Sequence, residues 1–462
     1  MPGTVDPSAL VAQLRRSPLS SAPQLMAALG VGSQASFSRL VARSGDAIVA
    51  IGQARARRYA AARPVAGLGA RLPLFRVTAG GSLESIGHVF ALAPEGSCVQ
   101  GKAPLPRWMR GARGNGVFGG LPVIHVDQRP QGFLGGTFAQ RHAALGLPDR
   151  PEDWTDDHAL IALARAGDDL VGDGVLGDES ARRLYARWSA PPAPIAPARR
   201  SREYPALAAE AIGGVTPGSS AGGEQPKFGA LVGDGSTAAH VLVKFSPSEF
   251  SASARRWCDL IVCEHLALRA VRSLELPAVA SDILEGGSRV FLETVRFDRI
   301  GLRGRRPVVS LAAMNAEYVG LAPSTGQWSR AAAGLEAEGW LAPSTLEQVR
   351  RLELFGRFIA NTDMHFLNVS FLPRSDGTLE LAPVYDMLPM GYAPVAGELP
   401  ARAYAPPLPE PGHEAGWRAA GEAAHAFWRL VADDERVSAP FRAIASQNAR
   451  EVARALERFV PS

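Results

Sequence analysis

In the stretch "IANTDMHFLNVSFL" (residues 359–372), Asp363, His365 and Asn368 interrupt an apolar run. An ionised carboxylate in apolar surroundings is costly unless it has a partner. The cluster therefore caps a turn or holds something charged. Asp363 and Asn368 have the spacing D-x-x-x-x-N. In kinase chemistry that spacing lets the Asp accept the proton of an attacking hydroxyl while the Asn holds Mg²⁺. Eighteen residues beyond Asn368, Asp386 in "APVYDMLP" ends an apolar segment. A kinase keeps its metal-binding Asp in such a place. Phosphoryl transfer asks for metal ions to neutralise phosphate oxygens and for a group that orients the nucleophile. Asp363, Asn368 and Asp386 make that set, with turn capping as the alternative for Asp363.

The cationic half of such a site must lie upstream. Only three of the 49 basic residues are lysine: Lys102, Lys227 and Lys244. A lysine kept in an arginine background suits a place that needs a compact ammonium. Lys244 falls in the alternating segment "HVLVKFSP", read as a strand. Glu264 falls on the following helix, predicted over residues 252–271, and either pairs with Lys244 or faces solvent. Before them runs "GGVTPGSSAGGEQPKFGALV". Its glycines, Gly222 and Gly223 among them, let backbone amides approach phosphates because no Cβ intervenes. Lys227 ends the loop. Singly these signals are weak. Their order predicts a site for ATP and Mg²⁺.

The elements that must carry these residues form two lobes. Strands are predicted at 228–232, around Lys244, at 279–284 and at 290–297, with the helix between, and the remainder is mainly helical. Residues 67–190 read as a strand meander, "RLPLFRVTAGGSLESIGHVFAL", then helices and turns. A proline-rich connector, "APPAPIAPARR", follows at 190–200. A chain of 462 residues exceeds one ordinary core. The expected division is 1–66, 67–200, 201–300 and 301–462, in the α+β class with a bilobal, kinase-like arrangement.

The net charge of +4 conceals an asymmetry, because residues 1–66 hold eight Arg and two Asp. Within residues 20–66 the pattern is helix, glycine turn, a helix capped by Ser33, then two short strands near 48–51 and 57–61. That order describes a winged helix-turn-helix. Ser33, Gln34, Ser36 and Arg39 would face a DNA groove, with Arg55, Arg57 and Arg58 on the wing for phosphates. A small protein-interaction module is the plainer reading.

The three cysteines (Cys98, Cys258, Cys263) make no disulfide framework, which points to a reducing, cytoplasmic setting. Cys258, Cys263 and His265 share one predicted helix. Core packing explains them better than a metal does. No apolar run is long enough to cross a membrane.

Taken together, "SSAGGEQPKF", "HVLVKFSP", "LETVRFDRIG", "NTDMHFLNVSFL" and "LAPVYDMLP" resemble the HipA family of serine/threonine kinases, the toxins of bacterial toxin–antitoxin modules. "RPQGFLGGTFAQR" and "ARAGDDLVGD" resemble that family's N-terminal subdomain, so the likeness spans roughly residues 70–400. The fused winged helix resembles a subgroup that carries its own DNA-binding domain. The resemblance implies Asp363 as catalytic base, Asn368 and Asp386 as Mg²⁺ ligands, and Lys244 on ATP. It also implies that Ser219 or Ser220 is autophosphorylated, which ejects the loop. Characterised relatives phosphorylate proteins, notably aminoacyl-tRNA synthetases. The N-terminal module implies an operator DNA and, for two half-sites, a homodimer. The competing expectations are a transcriptional regulator whose kinase-like part only senses nucleotide, and a small-molecule kinase.

Overall fold

Apolar side chains three and four residues apart organise the N-terminal segment. In the computed structural model, which describes residues 5–213, 225–234, 237–322 and 324–459, α1 (Pro7–Arg16), α2 (Ala22–Leu29) and α3 (Gln34–Ser44) precede an antiparallel hairpin of β1 (Ile48–Ile51) and β2 (Arg58–Ala61). Leu10, Leu14, Leu25, Phe37, Leu40 and Tyr59 form one core. Ser33 caps α3 by accepting the Ser36 N–H at 3.2 Å. Gly30, at φ 65°, closes α2 in the left-handed region. The helix, turn, helix, hairpin order is the expected one. Helix α1 precedes the pattern expected over residues 20–66 and adds a third helix to it. Pro7 in its first turn and the Leu10/Leu14 spacing mark it as a helix, but its burial depends on α3 and β2.

The middle segment is built on a five-stranded antiparallel sheet. Its strands are β3 (Arg71–Val77), β4 (Leu83–Ala91), β5 (Ser97–Gly101), β6 (Val117–Phe118) and β7 (Gly174–Leu176), ordered β6-β5-β4-β3-β7. Helices α4 (Val123–Val126), α6 (Asp156–Ala166) and α7 (Asp178–Ser189) pack on it, while α5 (Gly132–Arg141) lies against α6 and sends Phe133 into the core around Tyr204 and Phe228. Helices and turns alone were expected after residue 120, and β7 corrects that. Three residues are too few for a local strand signal, and β7 exists because β3 offers it an edge, with Leu74 opposite Leu176. The N-terminal hairpin is fixed to this sheet. Ala62 bridges Leu92, and the Gln100 side chain donates to the Ala50 carbonyl at 2.7 Å. Val49, Ile51 and Ala60 pack on Phe90, Leu92 and Cys98.

Residues 190–196 run extended, and Ile195 exchanges backbone hydrogen bonds with Leu231 and Gly233. A helix that local pattern does not reveal follows, α8 (Arg200–Gly213). Pro205 inside it disguised the pattern, and the helix is held by tertiary contacts instead. Tyr204 is fully buried against Phe228 and Phe291, and its hydroxyl donates to Glu293.

The next unit is the sheet β10-β11-β9-β8, all antiparallel, from β8 (Lys227–Val232), β9 (Ala239–Phe245), β10 (Ser281–Gly286) and β11 (Arg289–Val295). Helix α9 (Ala252–Arg272) crosses between β9 and β10. Two short strands follow, β12 (Arg299–Ile300) and β13 (Gly304–Arg305). The second lobe contains β14 (Val309–Ser310), α10 (Leu311–Tyr318), α11 (Trp328–Ala337), α12 (Pro343–Phe358), β15 (Ser370–Pro373), β16 (Leu379–Leu381), α13 (Glu414–Asp433) and α14 (Ala439–Arg458). Phe355, Phe358, Trp417, Phe427 and Trp428 are buried at its centre, where each large apolar side chain contributes roughly 1.5–3 kcal/mol. The same core reaches into α9, so the lobes share apolar packing.

Arginines and aspartates also tie the middle segment to the first lobe. Asp168 accepts from Arg183 and Arg187, while Asp169 and Asp298 face Arg296 and Arg299. Among the described residues no helix is long and apolar enough to cross a membrane.

Candidate active site

Helix α12 ends with Ala360 at φ 58°. The Ala360 N–H donates to the Arg357 carbonyl at 3.2 Å and the Asn361 N–H to the Gly356 carbonyl at 2.9 Å. This pattern stops a helix and turns the chain outward. Beyond it the polar residues pin one another. The Asn361 side-chain oxygen accepts the Asp363 N–H at 3.0 Å, and the Asn368 amide donates to the Asp363 carbonyl at 2.8 Å. The Trp328 indole donates to the His365 carbonyl at 3.0 Å. The polar interruption is thus a braced turn, and the bracing is done by Asn361 and Asn368. The Asp363 carboxylate is left half exposed, 3.8 Å from the His365 imidazole.

Lys244, Glu264 and Asp386 meet in the interior. The Lys244 ammonium donates to both Glu264 carboxylate oxygens at 2.8 Å and also to Asp386 Oδ1. Lys244 is 6 % exposed and Glu264 1 %, so this is a buried pair and not a solvated helix face. Periodicity explains the placement: Lys244 points inward from β9, and Glu264 lies on the buried side of α9. Burial disfavours the ammonium, but Asp386 and Glu264 outweigh it and hold the Lys244 pKa above its ordinary value. Burial raises the Glu264 pKa, and Lys244 only partly offsets it. Burial acts on Asp386 too, yet Lys244, then Lys227 and His365, hold its carboxyl below the ordinary range. Asp386 sits at φ 55°, a left-handed conformation that Asp tolerates better than most residues.

Register places Lys227 on β8 directly opposite Lys244, so two of the three lysines share this corner. The segments that carry Asn368 and Asp386 are also tied together. The Tyr385 hydroxyl donates to the Leu367 carbonyl at 2.7 Å and lies 2.7 Å from the Ser370 hydroxyl. The neighbours of Asp386 and Asn368 are therefore held to each other.

These residues suit Mg²⁺, which takes one or two protein carboxylates and fills its shell with water and phosphate oxygens. Asn368 donates one amide hydrogen to the Asp363 carbonyl, so its Oδ1 is the side-chain atom that could take a metal ion. A cage of three or more His, Cys, Asp or Glu is absent among the described residues. Cys263 is buried, and His265 bonds to the Ser281 hydroxyl at 2.9 Å, which supports the packing reading.

Ser219, Ser220, Gly222 and Gly223 lie outside the described residues. In the N-terminal module, Ser33, Gln34, Arg39, Arg55 and Arg57 are exposed, while Ser36 and Arg58 are half-buried. Ser33 is committed to its cap, and Arg58 folds back onto the Arg55 and Arg57 carbonyls. Sequence reasoning missed Tyr385 and Ser370. The tyrosine directly before Asp386 was the available signal.

Comparisons with known proteins bear on the family and the fold. Residues 68–185 match the family described as YjjJ-like toxin, middle domain, and residues 219–458 match the HipA-like C-terminal domain. Toxin YjjJ of Escherichia coli (strain K12) is 39% identical over 433 residues, covering 92% of this chain and 93% of that protein. Among solved structures, HipA in the Shewanella oneidensis MR-1 complex with HipB and operator DNA aligns with a TM-score of 0.50 at 14% identity, over 84% of this chain and 97% of that one. The Helicobacter pylori proinflammatory kinase CtkA aligns with a TM-score of 0.36 at 13% identity, over 52% of this chain and 92% of that one. The architecture is that of the HipA-like kinase fold.

Proposed function

This chain belongs to the family of HipA-like toxins, and from that premise we propose that it is an ATP-dependent serine/threonine protein kinase. The observation that carries the proposal is the Lys244–Glu264–Asp386 cluster beside the Asp363–Asn368 turn. Lys244 would leave Asp386 for the α- and β-phosphates of ATP and stay oriented by Glu264. Asp386 and Asn368 would then hold Mg²⁺, which neutralises phosphate oxygens. Asp363, half exposed at the mouth of the site, would accept the proton of the attacking hydroxyl as its oxygen bonds to the γ-phosphorus and the bond to ADP breaks. Lys227 would support the phosphates from β8.

The substrate would be a Ser or Thr hydroxyl on a protein, with an aminoacyl-tRNA synthetase as the class suggested by the resemblance. Phosphorylation of Ser219 or Ser220 would add nearly two negative charges beside a phosphate site and repel the loop. The exposed Gln34, Arg39, Arg55 and Arg57 support binding of an operator DNA, by two copies of the chain if the operator has two half-sites. The test is incubation of wild type and Asp363→Ala with Mg²⁺-ATP, followed by phosphosite mapping. Phosphate on Ser219 or Ser220 in wild type alone is expected. Nucleotide binding without phosphate on any residue or on added protein would replace this reading with a nucleotide-sensing DNA-binding regulator.

A further inference from the structure

The catalytic turn is held from a part of the chain far from it in sequence. Asp127 follows α4 in the middle segment. Its carboxylate accepts two hydrogen bonds from one residue of the second lobe: the Ser310 N–H at 2.6 Å and the Ser310 hydroxyl at 2.5 Å. Ser310 in turn caps α10, accepting the Ala313 N–H at 3.0 Å. Ser310 also pairs with Ser370 across β14 and β15, and the Leu311 N–H donates to the Val369 carbonyl at 2.7 Å. Val369 and Ser370 directly follow Asn368.

The chain of contacts continues to the metal-binding segment. A carbonyl can only accept, so the single Tyr385 proton goes to Leu367, and the Ser370 hydroxyl must donate to the Tyr385 oxygen. The links therefore run from Asp127 through Ser310 and Ser370 to Tyr385 and Leu367. They end one residue from Asn368 on one side and one residue from Asp386 on the other.

We propose that Asp127, supplied by the middle segment, is a positioning residue that sets the relative placement of Asn368 and Asp386. This rests on the kinase reading above. Two features separate the contact from ordinary domain packing. Both oxygens engage one residue, which fixes the position and the rotation of the β14–α10 corner. Among the described residues the carboxylate has no cation paired with it. Burial raises its pKa to about 6, and the Ser310 bonds only partly offset that. Other contacts already join the segments: Ala112 N–H donates to Glu317 at 2.7 Å, and Arg107 stacks 3.7 Å over Trp340. Adhesion alone does not require an uncompensated anion at this corner.

The test uses the full chain with Asp127→Ala, Asp127→Asn and Ser310→Ala. The readouts are the phosphorylation rate at saturating Mg²⁺-ATP, the KM for ATP, and hydrogen exchange followed by mass spectrometry. Misplacement of reacting groups on the ångström scale costs up to about a hundredfold. Asp127→Ala is expected to lose about tenfold or more in rate, with KM for ATP changed less than about twofold. Asp127→Asn keeps one carbonyl acceptor and should retain more activity. Exchange should quicken in peptides covering 363–370 and 309–313 and stay unchanged in β3–β4. An unchanged rate, or faster exchange spread evenly over the chain, overturns the proposal. If wild type transfers no phosphate at all, the kinase reading fails. The exchange pattern then decides by itself whether Asp127 positions the turn. If Asp127→Ala does not fold, Asp127→Asn carries the same comparison.

Discussion

Replacing Lys244 by Met removes one charge and leaves two carboxylates. At 2.8 Å, and with an effective dielectric of about 20, each unit-charge contact is worth about 6 kcal/mol before desolvation. Burial cancels much of that, and removing one member of a buried pair costs about 3–5 kcal/mol. That is a large share of the roughly 5–15 kcal/mol that stabilises a typical domain. The pH dependence follows from Glu264. Its pKa is raised in the folded wild type above the ordinary 4.5. A raised carboxyl pKa means that the folded state binds more protons, so this group's contribution falls as pH rises from 4.5 through the folded value. Without Lys244 the rise is larger and the window wider. The urea midpoint of Lys244→Met should therefore lie well below wild type at pH 8 and closer to it at pH 5. Lys244→Met/Glu264→Gln should recover about 2 kcal/mol or more, because the more deeply buried of the two stranded charges is gone. It should not recover phosphoryl transfer. Equal deficits at pH 5 and pH 8, or a double variant no more stable than the single one, would refute a charge-paired interior.

Other consequences are simpler to test. Asp363→Ala should abolish phosphorylation while its denaturation midpoint stays within about 0.5 kcal/mol of wild type, since the carboxylate is half exposed. Asp298 is 4 % exposed; burial opposes its charge, but Arg296 and Arg299 hold its pKa below the ordinary 3.8. Its stabilisation is complete above that value and is lost as pH falls through the folded value, so Asp298→Asn should flatten the acid limb of the wild-type stability curve. If the N-terminal module grips DNA phosphates, Arg55→Ala and Arg57→Ala should each lower the slope of log affinity against log salt by about 0.9. Unchanged slopes in a gel-shift titration would exclude the hairpin tip as a phosphate contact.

Local chemistry was legible where it is written in short range. D-x-x-x-x-N and the later Asp386 marked the second lobe. Alternation revealed the strand that holds Lys244, and the 252–271 periodicity placed Glu264 on its helix. Ser33 was readable as a cap because a cap is a contact between near neighbours. Elements sustained by distant partners were not legible. Helix α1 needs α3 and β2 beneath it, β7 needs the edge of β3, and α8 hides behind Pro205 until Tyr204 is seen buried under the four-stranded sheet.

The same division runs through the site. By itself the sequence determined which residue types were on hand, their order along the chain, and that Lys244 lies on a strand and Glu264 on the helix after it. Only the tertiary structure decided that Glu264 is buried, that Asp386 shares the same ammonium, and that Tyr385 ties the segment of Asp386 to that of Asn368. It alone brought Asp127 from 183 residues away onto Ser310. The physical reason is range. Propensity, capping and periodicity act over a few residues, whereas burial and charge pairing depend on distances in space that chain folding sets.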